Sequence, residues 1–127
     1  LTRLATYQST PVSNHLSAEK LAEVKAATMV GGATLTGLIG TSAWYAPGAA
    51  GAALTASIVR DQKKVFPCSV YLEGEYGESD ICMGVPVVIG ANGWESIVDY
   101  QLNAEEAAEF AKSAAAVRAM NSVLDSL

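Results

Sequence analysis

The stretch ICMGVPVVIGANGWESIVDYQL, residues 81–102, decides the fold. It contains one apolar run that ends at Asn92-Gly93 and a second run that returns from Trp94 with side chains alternating at every second residue. An Asn-Gly pair between two apolar runs is the strongest short signal for a β-hairpin. Alternation with a period of two is typical of a strand. The stretch therefore predicts two antiparallel strands joined by a tight turn.

The segments on either side of this hairpin extend the prediction. VFPCSVYLEGEYG, residues 65–77, is rich in β-branched and aromatic residues and predicts a third strand that ends in a glycine turn. After the hairpin, Asn103 followed by Glu106 forms a capping-box pattern that predicts the start of a long terminal helix. The predicted buried stripe of that helix consists of Phe110, Ala114, Val117, Asn121 and Leu124.

The first half of the chain predicts two helices. Ser17 is a good N-cap for the first, with Leu21, Val24 and Thr28 on one face. Gly31-Gly32 is expected to kink or break this helix before it resumes over residues 33–39. The second helix is predicted over residues 45–62, with basic side chains complementing the negative end of its macrodipole. Those side chains are Arg60, Lys63 and Lys64.

Together these elements predict an α+β fold, with long helices packed on a small antiparallel sheet. The length of 127 residues fits one domain over residues 1–127, and 50% apolar residues suffice for a core. A net charge of −5 and eight scattered basic residues argue against nucleic acid as a partner. The sequence has no apolar run near 18 residues, which argues against a membrane span. Cys68 and Cys82 are expected to be buried free thiols, and one histidine without a Cys-x-x-Cys pair argues against a metal site.

Three passages of the sequence carry a resemblance to a known family. They are LIGTSAWYAPGAA, IVRDQKK and VFPCSVYLEGEYGESDICMGVPVVIGANGWESIVDYQLNAEE. The chain resembles, over its whole length, the C-terminal half of NAD-dependent malate dehydrogenases of the lactate-dehydrogenase-like type. The resemblance implies the C-terminal-domain fold of lactate and malate dehydrogenases, malate and oxaloacetate as substrates, NAD as cofactor, a homo-oligomer and a cytoplasmic location. It also implies that a Rossmann half, the catalytic His-Gly-Asp histidine and the substrate-binding arginines lie upstream of residue 1, so that no catalytic residue lies in this chain.

The same resemblance assigns roles to the segment over residues 41–47, which in the family closes over substrate and nicotinamide. Ser42 and Ala43 match substrate-binding positions, and the small side chain of Ala43 matches malate-type rather than lactate-type enzymes. Ala46 and Pro47 match positions on the nicotinamide side of the pocket. Thr41 departs from the glycine usual in the family, which raises the question of whether the backbone there needs a positive φ.

Other interpretations of the same residues stay open. The chain contains no G-x-G-x-x-G pattern after a strand, and its single histidine, His15, lacks the Gly-Asp neighbours of a catalytic motif. Ala43 could serve ordinary packing at a helix start. One alternative function is a lactate-type 2-hydroxy-acid dehydrogenase, which Thr at position 43 would favour. An alternative of another class is a non-catalytic oligomerisation module.

Overall fold

The computed structural model describes residues 2–126 and divides into two compact units, of which the first ends at Ala49 and the second begins at Ala50. The elements include three helices and a three-stranded antiparallel sheet, which confirms the predicted α+β class. Residues 1 and 127, the ends of the predicted single domain, lie outside the described residues. Among residues 2–126, no helix is both long enough and apolar enough to cross a bilayer.

The first unit consists of a short hairpin and a long helix. Strands β1 (Thr6–Tyr7) and β2 (Thr10–Pro11) pair antiparallel, between 3-10 turns at Thr2–Leu4 and Val12–Asn14. Helix α1 follows over Ala18–Ile39, and the Ser17 hydroxyl caps it by accepting a hydrogen bond from the Lys20 backbone N–H, as predicted.

The break predicted at Gly31-Gly32 is wrong, because α1 runs unbroken for 22 residues. Two glycines cost the helix about 1 kcal/mol each relative to alanine. The alanines at positions 26, 27 and 33 favour the helix, and a break would forfeit hydrogen bonds; together these outweigh that cost. The helix ends instead at Gly40, whose φ of 71° gives the left-handed C-cap that glycine adopts readily.

The second unit is built on the predicted sheet. Helix α2 (Tyr45–Val59), whose first five residues belong to the first unit, leads into strands β3 (Lys64–Glu73), β4 (Ser79–Gly90) and β5 (Gly93–Ile97), which lie in the order β3-β4-β5. A 3-10 turn at Glu75–Gly77 joins β3 to β4, and α3 (Ala104–Asn121) and a 3-10 turn at Ser122–Ser126 follow β5.

The β4–β5 hairpin is confirmed, with the turn shifted by one residue. Gly90 pairs with Gly93, so that Ala91 and Asn92 occupy the centre of the turn, and Gly93 has a φ of 88°. A residue after a tight turn with positive φ is a position that favours glycine. The Asn-Gly signal thus located the hairpin correctly while its glycine begins the returning strand.

One face of the sheet carries the core of the second unit. Alternate residues of β3 and β4 are buried, and helices α2 and α3 pack against this face through Leu54, Ile58, Phe110 and Val117. The buried apolar residues are Val70, Leu72, Ile81, Met83, Val85, Val87, Ile89 and Ala114. The predicted stripe of α3 is therefore correct as far as Val117 and wrong at Asn121 and Leu124, both of which are exposed.

The two cysteines are free, as predicted, but neither is fully buried: Cys68 is half-buried and Cys82 is exposed. Cys82 alternates with the buried Ile81 and Met83 in β4, so it points to the outer face of the sheet. The single apolar segment that contains it gave no indication of which face would be covered.

Candidate substrate and cofactor wall

The candidate site residues lie together in the chain, at the connection between α1 and α2. Ser42 and Ala43 belong to the connecting segment, and Ala46 and Pro47 belong to the first turn of α2. Ala43 is half-buried and the other three are exposed. All four therefore lie close together within residues 42–47. Their roles in binding stay predictions.

The local sequence explains why a helix starts here. Proline is tolerated in the first helical turn because the N–H groups of that turn have no acceptor within the helix. Pro47 is the third residue of α2, and Gly48 N–H closes the first turn by donating to the Trp44 carbonyl at 2.8 Å. The first turn contains no acidic residue, so the partial positive charge of the helix end is not offset by a carboxylate on the same turn.

The backbone question at Thr41 has a clear answer. Gly40, one residue earlier, takes the left-handed conformation, whereas Thr41 is not among the residues with positive φ. A threonine there is therefore unstrained, and the departure from the usual glycine costs the segment nothing in backbone energy.

Two exposed aromatic rings stand between the two pairs of candidate residues. Trp44 is 61% exposed and Tyr45 is 85% exposed. Their ring centroids are 6.4 Å apart with a tilt of 52°. Exposure of this extent at two adjacent aromatic residues offers apolar surface for contact beside the candidate positions.

His15 lies in the hairpin region of the first unit, where its Nε2 is 2.6 Å from the Thr10 hydroxyl. The same hydroxyl donates to the Tyr7 carbonyl at 2.9 Å, and the Tyr7 and His15 rings meet edge to face at 5.6 Å. Because the hydroxyl has only one proton to give, His15 acts as the donor in their contact. This arrangement gives His15 a structural partner.

Acidic residues near the β3–β4 turn form separate contacts. Arg118 pairs with Glu78 at 2.8 Å, and the Tyr71 hydroxyl donates to Asp80 at 2.9 Å, which raises the pKa of Tyr71. The Glu73 backbone N–H donates to Glu75 and lowers the pKa of that carboxyl. Within residues 2–126 no group of three acidic, histidine or cysteine side chains is arranged to hold a metal ion.

The charged residues after α2 do not have the predicted role. The helix ends at Val59 and its last turn contains no basic residue, so Arg60, Lys63 and Lys64 lie beyond it. Lys63 instead contacts Asp61 at 2.9 Å and Glu95 at 2.5 Å. Sequence reasoning missed this cluster, because nothing local indicates an ion pair between residues 32 positions apart.

Comparison with known proteins agrees with the resemblance in the sequence. A family described as "lactate/malate dehydrogenase, alpha/beta C-terminal domain" matches residues 4–124. A malate dehydrogenase of Bacteroides thetaiotaomicron is 68% identical over 124 residues, which are 98% of this chain and 40% of that protein. One from Flavobacterium frigidimaris is 63% identical over 127 residues, 100% of this chain and 41% of that protein.

Solved structures show the same likeness. The malate dehydrogenase of Salinibacter ruber superposes with a TM-score of 0.96 at 39% identity, over 100% of this chain and 42% of that one. That of Cryptosporidium parvum gives 0.95 at 33% identity, over 100% of this chain and 42% of that one. The chain thus spans about two fifths of the length of the curated relatives it matches. It belongs to the family of lactate/malate dehydrogenase C-terminal domains.

Proposed function

We propose that this chain, as one domain over residues 1–127, forms the substrate-binding part of an NAD-dependent enzyme that interconverts malate and oxaloacetate by hydride transfer. The observation that carries the proposal is the 68% identity to a malate dehydrogenase over 98% of the chain. That match spans 40% of the relative. We expect the rest of such an enzyme to include the N-terminal Rossmann half that the resemblance implies.

Within this proposal the residues of the connecting segment form one wall of the pocket. The Ser42 hydroxyl is exposed and can donate or accept a hydrogen bond to a substrate oxygen. The methyl side chain of Ala43 leaves room for the second carboxylate that distinguishes oxaloacetate from pyruvate.

Ala46 and Pro47 fit the nicotinamide side of a bound NAD, because both are exposed and apolar at the start of a helix that carries no acidic side chain in its first turn. They offer nothing to a pyrophosphate, which needs a glycine-rich turn between strand and helix. When bound, NAD supplies the acceptor or donor of the hydride. This chain contributes the surface that orients the ring.

The remaining chemistry has to come from outside these positions. Reduction of a 2-keto acid needs a general acid at the carbonyl oxygen and a bidentate cation for the carboxylate. None of the four candidate residues can provide either. We therefore expect the 127-residue chain alone to be inactive.

The decisive experiment joins this chain to the part of the Bacteroides thetaiotaomicron malate dehydrogenase that precedes the matched segment. The hybrid is assayed for NADH oxidation with oxaloacetate and with pyruvate, beside the natural relative and the isolated chain. Turnover of oxaloacetate by the hybrid, and none by the isolated chain, is the expected result. A folded hybrid that reduces pyruvate alone would contradict the malate assignment and favour the lactate-type alternative.

The role of Ala43 is tested in the same hybrid by Ala43→Thr, with Ala52→Thr as the matched control. Ala52 is exposed on α2, so the same added atoms there cost at most the small helix-propensity difference. We expect Ala43→Thr to lower kcat/KM for oxaloacetate by about tenfold or more, since a lost fit of about 1.4 kcal/mol has that effect. An equal loss in both variants would contradict a specificity role.

We further propose that the chain assembles with copies of itself in the cytoplasm. Helix α1 has no buried residue, and Met29 and Leu38 on it are 77% and 79% exposed, which is apolar surface of the kind that interfaces cover. Two free thiols suit a reducing compartment. Light scattering should show a dimer or larger, and a monodisperse monomer would contradict the proposal. If the chain forms a multimer but the hybrid enzyme binds no dicarboxylate, the result would instead favour the oligomerisation module.

A further inference from the structure

The C-terminal end of α2 has the hydrogen bonds of a Schellman motif. The Gln62 N–H donates to the Ser57 carbonyl at 2.9 Å, and the Asp61 N–H donates to the Ile58 carbonyl at 3.1 Å. The residue in the left-handed position of this motif is usually glycine. Here it is Asp61, with a φ of 47°. An aspartate in that conformation costs more than a glycine would, so its side chain is expected to recover the difference.

The Asp61 side chain reaches the β4–β5 hairpin. Its Oδ1 accepts a hydrogen bond from the Ala91 N–H at 2.8 Å and lies 2.9 Å from Lys63 Nζ. Lys63, also at positive φ, is 2.6 Å and 2.5 Å from the two carboxylate oxygens of Glu95. Glu95 Oε1 in turn accepts from the backbone and side chain of Asn92 at 3.4 Å and 3.3 Å. Two left-handed residues thus present their charges to one turn.

Gly90 lies directly beneath these charges. A Cβ at this position would stand 2.5 Å from Glu95 Oε1, 2.7 Å from Lys63 Cδ and 2.8 Å from Asp61 Oδ1. A Cβ at these distances would push the three side chains away, so glycine at position 90 lets them lie close over the strand. The three charged side chains therefore pack closely on the backbone at Gly90.

A second contact ties the same two elements in the interior. Ser57 is 0% exposed, and its hydroxyl donates to the Ile89 carbonyl at 2.8 Å. This neutral bond is shielded from salt. The side chains of Asp61, Lys63 and Glu95 are 52%, 47% and 20% exposed, so their attraction is open to screening.

We propose that Asp61, Lys63 and Glu95 form a charge latch. Because of this latch, the C-terminal end of α2 and the β4–β5 turn open and close together. The buried Ser57 bond holds the elements in register, and the charged latch sets how often their exposed ends separate. Neutralising Lys63 releases the latch without removing a buried group. The proposal goes beyond the proposed function and does not depend on it.

The test is native-state hydrogen exchange on the 127-residue chain, followed residue by residue by NMR. Lys63→Met removes the shared cation, and Lys64→Met is the matched control at the next position, which is also exposed. The informative amides are those of Ala91, in the hairpin, and Gln62, whose acceptor is the Ser57 carbonyl. Local opening governs the exchange of such amides.

We expect Lys63→Met to accelerate exchange at both amides by a similar factor, about three- to tenfold, in line with a small ion-pair network. Lys64→Met should change either rate less than twofold. In wild type, raising NaCl should accelerate both amides, and in Lys63→Met salt should have little further effect. Unchanged rates, or acceleration at Ala91 with Gln62 unaffected, would overturn the proposal.

Asp61→Asn provides a second, independent variant. Asparagine tolerates the left-handed conformation and its side-chain oxygen can still accept from the Ala91 N–H, so only the charge is lost. The latch predicts faster exchange at both amides and a weaker salt dependence here too. Wild-type rates at Gln62 in this variant would count against the coupling.

Discussion

Truncation of Leu72 should show whether the sheet face of the second unit is the core that stabilises it. Leu72 in β3 is 0% exposed and pairs with Ile81, itself 2% exposed, in β4. Leu72→Ala removes three buried carbon atoms and leaves a cavity between the sheet and the helices packed on it. Transfer of those atoms together with the cavity costs about 3 kcal/mol, within a range of 2 to 5. For a chain of this size the loss lowers Tm by about 10 °C.

The matched control is Leu124→Ala, the same change in the same unit. Leu124 was predicted to lie on the buried stripe of α3, yet it is 67% exposed. Its truncation should cost less than about 0.5 kcal/mol. The two variants therefore separate the observed core from the one that helical periodicity alone predicts.

The assay is urea unfolding, followed by tryptophan fluorescence in a Trp44→Phe background. Trp94 then reports on the unit that contains both leucines, since Trp44 belongs to the first unit. Circular dichroism gives the Tm of the same samples. Equal losses in Leu72→Ala and Leu124→Ala, or a loss below about 1 kcal/mol in Leu72→Ala, would refute the assignment of the core.

Three further changes test other contacts. Asn103→Ala removes the N-cap of α3 and should cost about 1 kcal/mol by urea unfolding; an unchanged midpoint would show that the cap contributes nothing. Tyr76→Phe removes a hydroxyl that donates to the Val98 carbonyl at 2.5 Å, so the free energy of unfolding should fall by about 1 to 3 kcal/mol. The Tm is the readout, and a shift under 1 °C would contradict this prediction. Lys63 depresses the pKa of Glu95, so the stability from that carboxylate is present above its unfolded pKa and is lost as pH falls through its folded pKa. Glu95→Gln should therefore flatten the decline in stability below about pH 5, and a parallel decline in both proteins would contradict this.

Local signals account for the parts of the fold that the sequence predicted correctly. The capping box at Asn103 and Glu106 forms as expected, because both hydrogen bonds lie within three residues of each other. The hairpin forms where its turn residues stand, for the same reason. Local chemistry of this kind leaves few competing conformations, so its outcome does not depend on the rest of the molecule.

The failures arise where contacts with distant parts of the chain decide the outcome. Asn121 and Leu124 are exposed because packing against the sheet stops after Val117, and the periodicity of a helix does not indicate where that packing ends. Lys63 was predicted to act at the end of α2, but it contacts Glu95 in the hairpin, 32 positions further along the chain. A short stretch of sequence shows neither where the packing of α3 ends nor which residue Lys63 contacts.

The candidate wall presents a different kind of difficulty. Ala43 carries no charge and no hydrogen-bonding group in its side chain, so physical reasoning from the residue alone cannot assign it a role. What it would contribute is space, and space acquires meaning only beside a substrate held by groups outside this chain. The resemblance supplied that context, and the structure adds that Ala43 is the one half-buried position among the four candidates. A half-buried methyl is where added volume is felt most, because an exposed side chain can turn into solvent. A substitution that adds atoms at position 43 is therefore a better test of its role in substrate selectivity than one that removes a group.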